Sequence, residues 1–238
     1  MLLSLLLTIH SSDSKNVPSK YYFDPRIHNF GNIGFGGRIH SIVAPYATKL
    51  IDEKCYNSVN IRQLILSKYN QEFYSVNGRL PKLIDLCCGT GASTWNNQLG
   101  IDTSSQMIAQ AKKINNKNNN KNNNKNTQFL EGNAEDYGKE DEFDAATIMF
   151  AFHEMPNYAH HKIINNAKRI TTSDILIVDI DPKYRPSKLM LSGEPYLLNY
   201  KKTIHTLLEK HQFSYLEYIP NHVGMWVFKH TENKFKHF

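Results

Sequence analysis

Hydrophobic positions change their period along the chain. Ile39, Ile42, Val43, Tyr46, Leu50 and Ile51 recur at helical spacing, with Pro45 an expected kink. Ile61, Leu64, Ile65 and Tyr69 predict a second amphipathic helix. Both precede the first strong strand, so they read as a cap. From Lys82 onward strand and helix patterns alternate. Strands are expected at 82–87, 99–102, 127–131, 144–150 and 174–181, with helices at 92–98, 104–114 and 157–170. The unbroken run Ile175, Leu176, Ile177, Val178 suits a strand buried on both faces of a parallel sheet. A helix at 196–211 is followed by strand runs at 213–219 and 222–229, separated only by Pro220 and Asn221. So short a link makes an antiparallel hairpin. The pattern predicts an α/β fold: a doubly wound, mostly parallel sheet closed by an antiparallel hairpin, with a helical N-terminal cap.

The same pattern divides the chain. Residues 1–20 are expected to be a disordered or targeting segment, 21–78 the cap and 79–238 the main domain. Leu2–Ile9 is apolar but has no Lys or Arg before it, which makes a poor secretory signal. Residues 115–126 read NNKNNNKNNNKN, contain no apolar position and are expected as a disordered insert.

Composition narrows the class. The 238 residues, 40% hydrophobic and 11% aromatic, are enough for a sizeable core and exclude a wholly disordered chain. No apolar run reaches the roughly 20 residues that cross a bilayer, and no repeat is visible. The formal charge is +6. Lys112, Lys113, Lys117, Lys121 and Lys125 supply +5 and the last ten residues +2, which leaves −1 for the rest. A nucleic-acid surface spreads cations over a folded face, so this distribution disfavours nucleic acid as a partner. Cys55, Cys87 and Cys88 do not form a disulfide framework. A reducing, cytoplasmic compartment is the simple expectation.

The chemistry concentrates at Leu83-Ile84-Asp85-Leu86-Cys87-Cys88-Gly89-Thr90-Gly91. A buried strand ends on an acid and a glycine turn, where backbone N–H groups are exposed to a ligand. A dinucleotide fingerprint would need a third glycine where Thr94 stands, and Asp85 would repel a pyrophosphate. An acid there suits a ligand head carrying a cationic amine.

These residues resemble the first motif of class I S-adenosylmethionine-dependent methyltransferases, and the likeness runs from Lys82 to Lys229. It implies a Rossmann-like fold and S-adenosylmethionine as cofactor. In the first motif it assigns cofactor contact to Asp85, Cys87, Gly89 and Gly91. Gly100-Ile101-Asp102-Thr103-Ser104-Ser105-Gln106-Met107 looks like the second motif. There the resemblance gives Asp102 the ribose hydroxyls, places Met107 near the adenine and counts Thr103 among the cofactor contacts. Glu131-Gly132-Asn133-Ala134 looks like the third, with Asn133 in place of the usual acid and Ala134 beside it. Phe143–Phe150 looks like the fourth strand, with Phe150 at the cofactor.

His153 and Glu154 follow that strand, at the carboxyl edge where open α/β sheets bind ligands. They are the expected catalytic pair. His153 is the candidate base, with an ordinary pKa near 6.5, and Glu154 orients it or binds a substrate amine. A zinc-protease motif fails because position 157 is Asn157, and no metal is expected. His160 and His161 are expected on a surface helix, in structural roles. Glu194 and Tyr196 are candidates for acceptor contact. The run from Asp24 to Gly37 looks like a lid over the cofactor.

One departure from the family stands out. Only ten residues separate Gly91 from Asp102, which leaves room for a first helix of about 10 Å. The expected function is methyl transfer from S-adenosylmethionine to a small-molecule acceptor. The alternative, motivated by the shortened helix, is a non-catalytic protein that binds cofactor or a protein partner. A nicotinamide oxidoreductase is disfavoured by Asp85 and Thr94. The acceptor and the oligomeric state are open at this point.

Overall fold

A computed structural model describes residues 20–94, 98–122 and 126–230, with side chains of 118–122 excepted. The expected segment 1–20 therefore lies, but for Lys20, outside the described residues. Seven strands form one sheet in the order β3-β2-β1-β4-β5-β7-β6. They are β1 (Leu83–Leu86), β2 (Leu99–Asp102), β3 (Gln128–Glu131), β4 (Phe143–Met149), β5 (Thr171–Ile180), β6 (Ser214–Ile219) and β7 (Val223–Lys229). β1 to β5 pair in parallel, and β7 runs antiparallel between β5 and β6. This is the expected doubly wound sheet with its hairpin. Strand order reverses between β1 and β4, and such a switch point opens a ligand crevice at the carboxyl ends.

Helices cover both faces. α4 (Asn157–Ile170) buries Ala159, Ile163, Ile164, Ala167 and Ile170, a stripe at helical spacing. It shares one core with α6 (Leu197–Lys210), through Leu197, Tyr200, Ile204 and Leu208. On the opposite face α2 (Ile61–Asn77) inserts Ile61, Ile65 and Leu66 against Leu83, Ala145, Leu176 and Val178. Asn60 caps α2 by accepting from the Gln63 N–H at 3.0 Å, and Gly78, at φ 66°, closes it in the left-handed region. α2 was expected in the cap, but its apolar stripe is spent on the sheet.

α1 (Gly34–Cys55) and the strap before it, residues 20–33, lie over the carboxyl edge instead. α1 continues through Pro45 and buries only Gly37 and Ser41. A short helix, α5 (Lys188–Gly193), capped by Ser187, follows β5 where the sequence pattern predicted no helix.

Two further expectations are corrected. The helix at 92–98 is absent among the described residues: 91–93 form turns and 94 is irregular, while 95–97 fall outside them. The insert at 115–126 is not wholly loop, since α3 (Ser105–Asn122) continues through its first eight positions. Extending an anchored helix costs far less than nucleating one, so even these eight positions, six Asn and two Lys, can prolong it without a core contact. Among the described residues no helix is long and apolar enough to cross a membrane.

Candidate active site at the carboxyl edge of the sheet

Beyond the ends of β1, β2 and β4 lies a cavity of about 580 Å³, roofed by α1 and the strap. Cys87 (φ 62°) and Phe150 (φ 56°) directly follow β1 and β4 in left-handed backbone, a conformation that costs a non-glycine residue about 1–3 kcal/mol. Both line the cavity, as does Gly89 (φ 53°).

Asp102, at the end of β2, lines it too. Its Oδ2 accepts the Gly89 N–H at 2.9 Å and its Oδ1 the Ser104 N–H at 2.8 Å. Burial raises its pKa to about 6 against these two lowering bonds. One lone pair remains on each oxygen. Thr103, Met107, Asn133 and Ala134 also line the cavity. Asn133 Oδ1 accepts the Glu135 N–H at 3.0 Å.

Three sequence candidates sit elsewhere. Asp85 is fully buried and does not line the cavity. Its carboxylate accepts from the hydroxyls of Ser93 (2.8 Å), Thr94 and Thr147 (3.0 Å). The turns that replace the first helix are thus tied to β1 through Asp85. Gly91 packs on Phe129, whose ring would lie 2.7 Å from an added Cβ. Tyr196 donates its hydroxyl to Asp24 Oδ2 at 2.9 Å and fastens the strap rather than meeting the cavity.

His153 and Glu154 stand in a 3-10 turn, Phe152–Glu154, after β4 and line the cavity. Asp179, at the end of β5, organises this turn. Its Oδ2 accepts the N–H groups of Phe152 (2.8 Å) and His153 (3.2 Å), and its Oδ1 lies 2.6 Å from His153 Nδ1. Burial alone would lower the His153 pKa, but the Asp179 charge and hydrogen bond push it up to about 9. The expected near-neutral base is thereby corrected: its partner makes it an imidazolium at pH 7. His160 is fully buried rather than on the surface, with Nε2 2.7 Å from Phe152 O and its ring stacked on Phe152.

The strap, which overlaps the run from Asp24 to Gly37 expected as a lid, brings in His28, a residue the sequence had not singled out. His28 (φ 51°) bridges two carboxylates, with Nε2 3.0 Å from Glu154 Oε1 and Nδ1 2.9 Å from Glu194 Oε1. Both ring nitrogens therefore donate, which makes His28 an imidazolium. Burial opposes that charge, and Glu154, then Glu194, hold the His28 pKa well above its usual value. Against its own burial, His28 and His153 hold Glu154 down to about 2. His40, 4.2 Å from the His28 ring, is kept neutral by burial and by that neighbouring charge, with a pKa of about 4. Asn32, before α1, presents its backbone O to Ser104 Oγ at 2.5 Å. Among the described residues Arg62 is the one Lys or Arg that lines the cavity, 4.2 Å from the Phe150 ring centroid and 3.3 Å from Asp52. Among the described residues no group of three or more His, Cys, Asp or Glu is arranged to hold a metal ion.

Residues 83–174 match the family model of a methyltransferase domain. No curated protein matches the chain. Among solved structures, the PH0226 protein of Pyrococcus horikoshii OT3 is 14% identical over 71% of this chain and 91% of its own, with a TM-score of 0.50. Magnesium protoporphyrin IX methyltransferase of Synechocystis PCC 6803, in its crystal structure with bound SAH, is 12% identical over 72% and 84%, with a TM-score of 0.52. Such low identities speak for the fold alone. The family match gives residues 83–174 the character of a methyltransferase domain, and the structural neighbours share the fold.

Proposed function

We propose that the protein transfers a methyl group from S-adenosylmethionine to a small-molecule acceptor enclosed beneath the strap and α1. The observation that carries this reading is Asp102, fixed by two backbone N–H groups at the cavity with a lone pair left on each oxygen. A carboxylate so prepared accepts from both hydroxyls of a ribose. The rest of the lining fits the same cofactor. Asn133 has its carbonyl engaged by Glu135, so its NH₂ is the donor side for an adenine edge. Arg62 supplies the counter-charge for an amino-acid carboxylate. Glu154 supplies the negative charge that cationic groups require.

S-Adenosylmethionine supplies an electrophilic methyl group, which forms a bond to the acceptor atom as its bond to sulfur breaks, releasing S-adenosylhomocysteine. The chain's own contribution is placement and proton handling. The cap excludes water and orients the acceptor, and orientation is the largest lever on a displacement of this kind. Asp179 fixes the His153 ring by its Nδ1–H, leaving Nε2, 4.0 Å from Glu154, to take the proton of a protic acceptor. With a pKa of about 9, His153 takes that proton best above neutral pH.

The absence of a first helix among the described residues favours a second reading, a cofactor-binding protein without turnover. Calorimetry with S-adenosylmethionine, S-adenosylhomocysteine and NAD, followed by a product assay on metabolite extracts, separates the readings. Binding of both adenosyl ligands with S-adenosylhomocysteine formation is the expected result. Binding without product formation supports the second reading, and NAD binding alone overturns both.

A further inference from the structure

Glu194 holds an oxygen that nothing in the described structure serves. The residue is 7% exposed and lines the cavity. Its Oε1 is taken by His28 Nδ1, while its Oε2 is buried with no hydrogen-bond partner. A buried acceptor left unmatched costs about 1–3 kcal/mol, and more when it is charged. Local charge points the same way, since two carboxylates, Glu154 and Glu194, share one imidazolium, His28. With His153 and its partner Asp179 counted, three carboxylates (Glu154, Glu194 and Asp179) stand against two imidazoliums (His28 and His153), and the net charge of −1 is one that a ligand can neutralise.

Much of the remaining lining is apolar. Val43, Ala47 and Ile51 recur every fourth residue on α1 and line the cavity, and Val43 and Ile51 are still 48% and 44% exposed. Met155 and Met190 line it as well, and thioether side chains adapt to varied apolar shapes. The geometry points to an acceptor with an apolar body and a proton-donating head, an amine or an alcohol, whose N–H or O–H is received by Glu194 Oε2. Carboxylate and phosphate heads would face two carboxylates and be rejected. This inference rests on the proposed methyl transfer, because it takes the occupant of this end of the cavity to be the acceptor.

Three probes with one apolar body test it: phenethylamine, 2-phenylethanol and phenylacetate. Each is titrated by calorimetry into the full chain at neutral pH with S-adenosylhomocysteine present. The amine or the alcohol is expected to bind at least about tenfold more tightly than phenylacetate. Whichever is tighter names the head group. In Glu194→Gln that advantage falls by about tenfold, while the dissociation constant of S-adenosylhomocysteine stays within about twofold. Equal binding of all three probes, tighter binding of phenylacetate, no binding at millimolar concentration or indifference to Glu194→Gln overturns the inference. If Glu194→Gln does not fold, the ranking on the unmodified chain decides alone. Failure of S-adenosylhomocysteine to bind counts against the methyltransferase reading instead, and the probe ranking is then measured on the free protein.

Discussion

His153 Nδ1 lies 2.6 Å from Asp179 Oδ1, and this pair sets the pH range over which His153 keeps its proton. The folded pKa of about 9 exceeds the ordinary value near 6.5. Stabilisation by the protonated pair is therefore complete below pH 6.5 and is lost as pH rises through 9. It amounts to roughly 3 kcal/mol at most. NMR titration of the His153 ring is expected to give a midpoint near 9. In Asp179→Asn, burial remains without the charge that opposed it, so the midpoint drops to 6.5 or lower. A midpoint near 6.5 in the unmodified protein contradicts the pairing.

Asp102 carries the cofactor reading, and its titration gives a second test. Burial raises its pKa to about 6, against the bonds from Ser104 and Gly89. Accepting from two ribose hydroxyls needs the carboxylate. The affinity for S-adenosylhomocysteine is thus expected to be flat above pH 7 and to weaken below 6, by up to about tenfold per pH unit. Asp102→Ala removes the acceptor, so its binding is weak at every pH. An affinity unchanged down to pH 5 would remove Asp102 from the ribose site.

How much of this was legible depended on whether a residue's role is local. The run Ile175–Val178 and the stripe Ala159, Ile163, Ala167, Ile170 announce a strand and a helix because period alone fixes their faces. The place of Asp102 at the cavity was legible because it follows from ending a strand. Asp179 was missed, although an acid closing the apolar run before Ile180 was a usable signal. His28 gave none, because Glu154 and Glu194 are far away in sequence and only the folded strap brings them to one ring. Asp85 misled because motif position marks the carboxyl end of a strand but not which way its side chain faces. Here Ser93, Thr94 and Thr147 claim it from inside.

That distinction is measurable. Asp85→Ala deprives three hydroxyls of their buried acceptor, at about 1 kcal/mol or more each, so a loss of roughly 3 kcal/mol is expected in chemical denaturation. The fraction that remains folded should bind S-adenosylhomocysteine with little change. Asp102→Ala should show the reverse emphasis, a smaller loss of stability, since its two N–H donors border the cavity, with poor binding. If Asp85→Ala keeps its stability but loses the ligand, Asp85 belongs to the cofactor site after all.

The strap is held in place against its own backbone preference. His28 and Asn29 both have positive φ, 51° and 62°, which costs non-glycine residues about 1–3 kcal/mol each. The ion pairs of His28 with Glu154 and Glu194 oppose that cost, and they require a close approach to α5 at Gly193. A Cβ on Gly193 would stand 3.0 Å from Asn29 Nδ2 and 3.2 Å from His28 Cα. The first neighbour is a side-chain end that can swing away, but the second is backbone. Gly193→Ala must therefore lift the strap by a few tenths of an ångström and lengthen the bond from His28 to Glu194. A cost of about 1–3 kcal/mol is expected. It should concentrate in the strap, where the N–H groups of Asn29, Phe30 and Gly31 bond to Arg26 and Ile27. Hydrogen exchange should quicken at those three amides and stay unchanged in the pairing of β5 with β7. Equal exchange in both proteins would mean that the strap does not depend on its seat at Gly193.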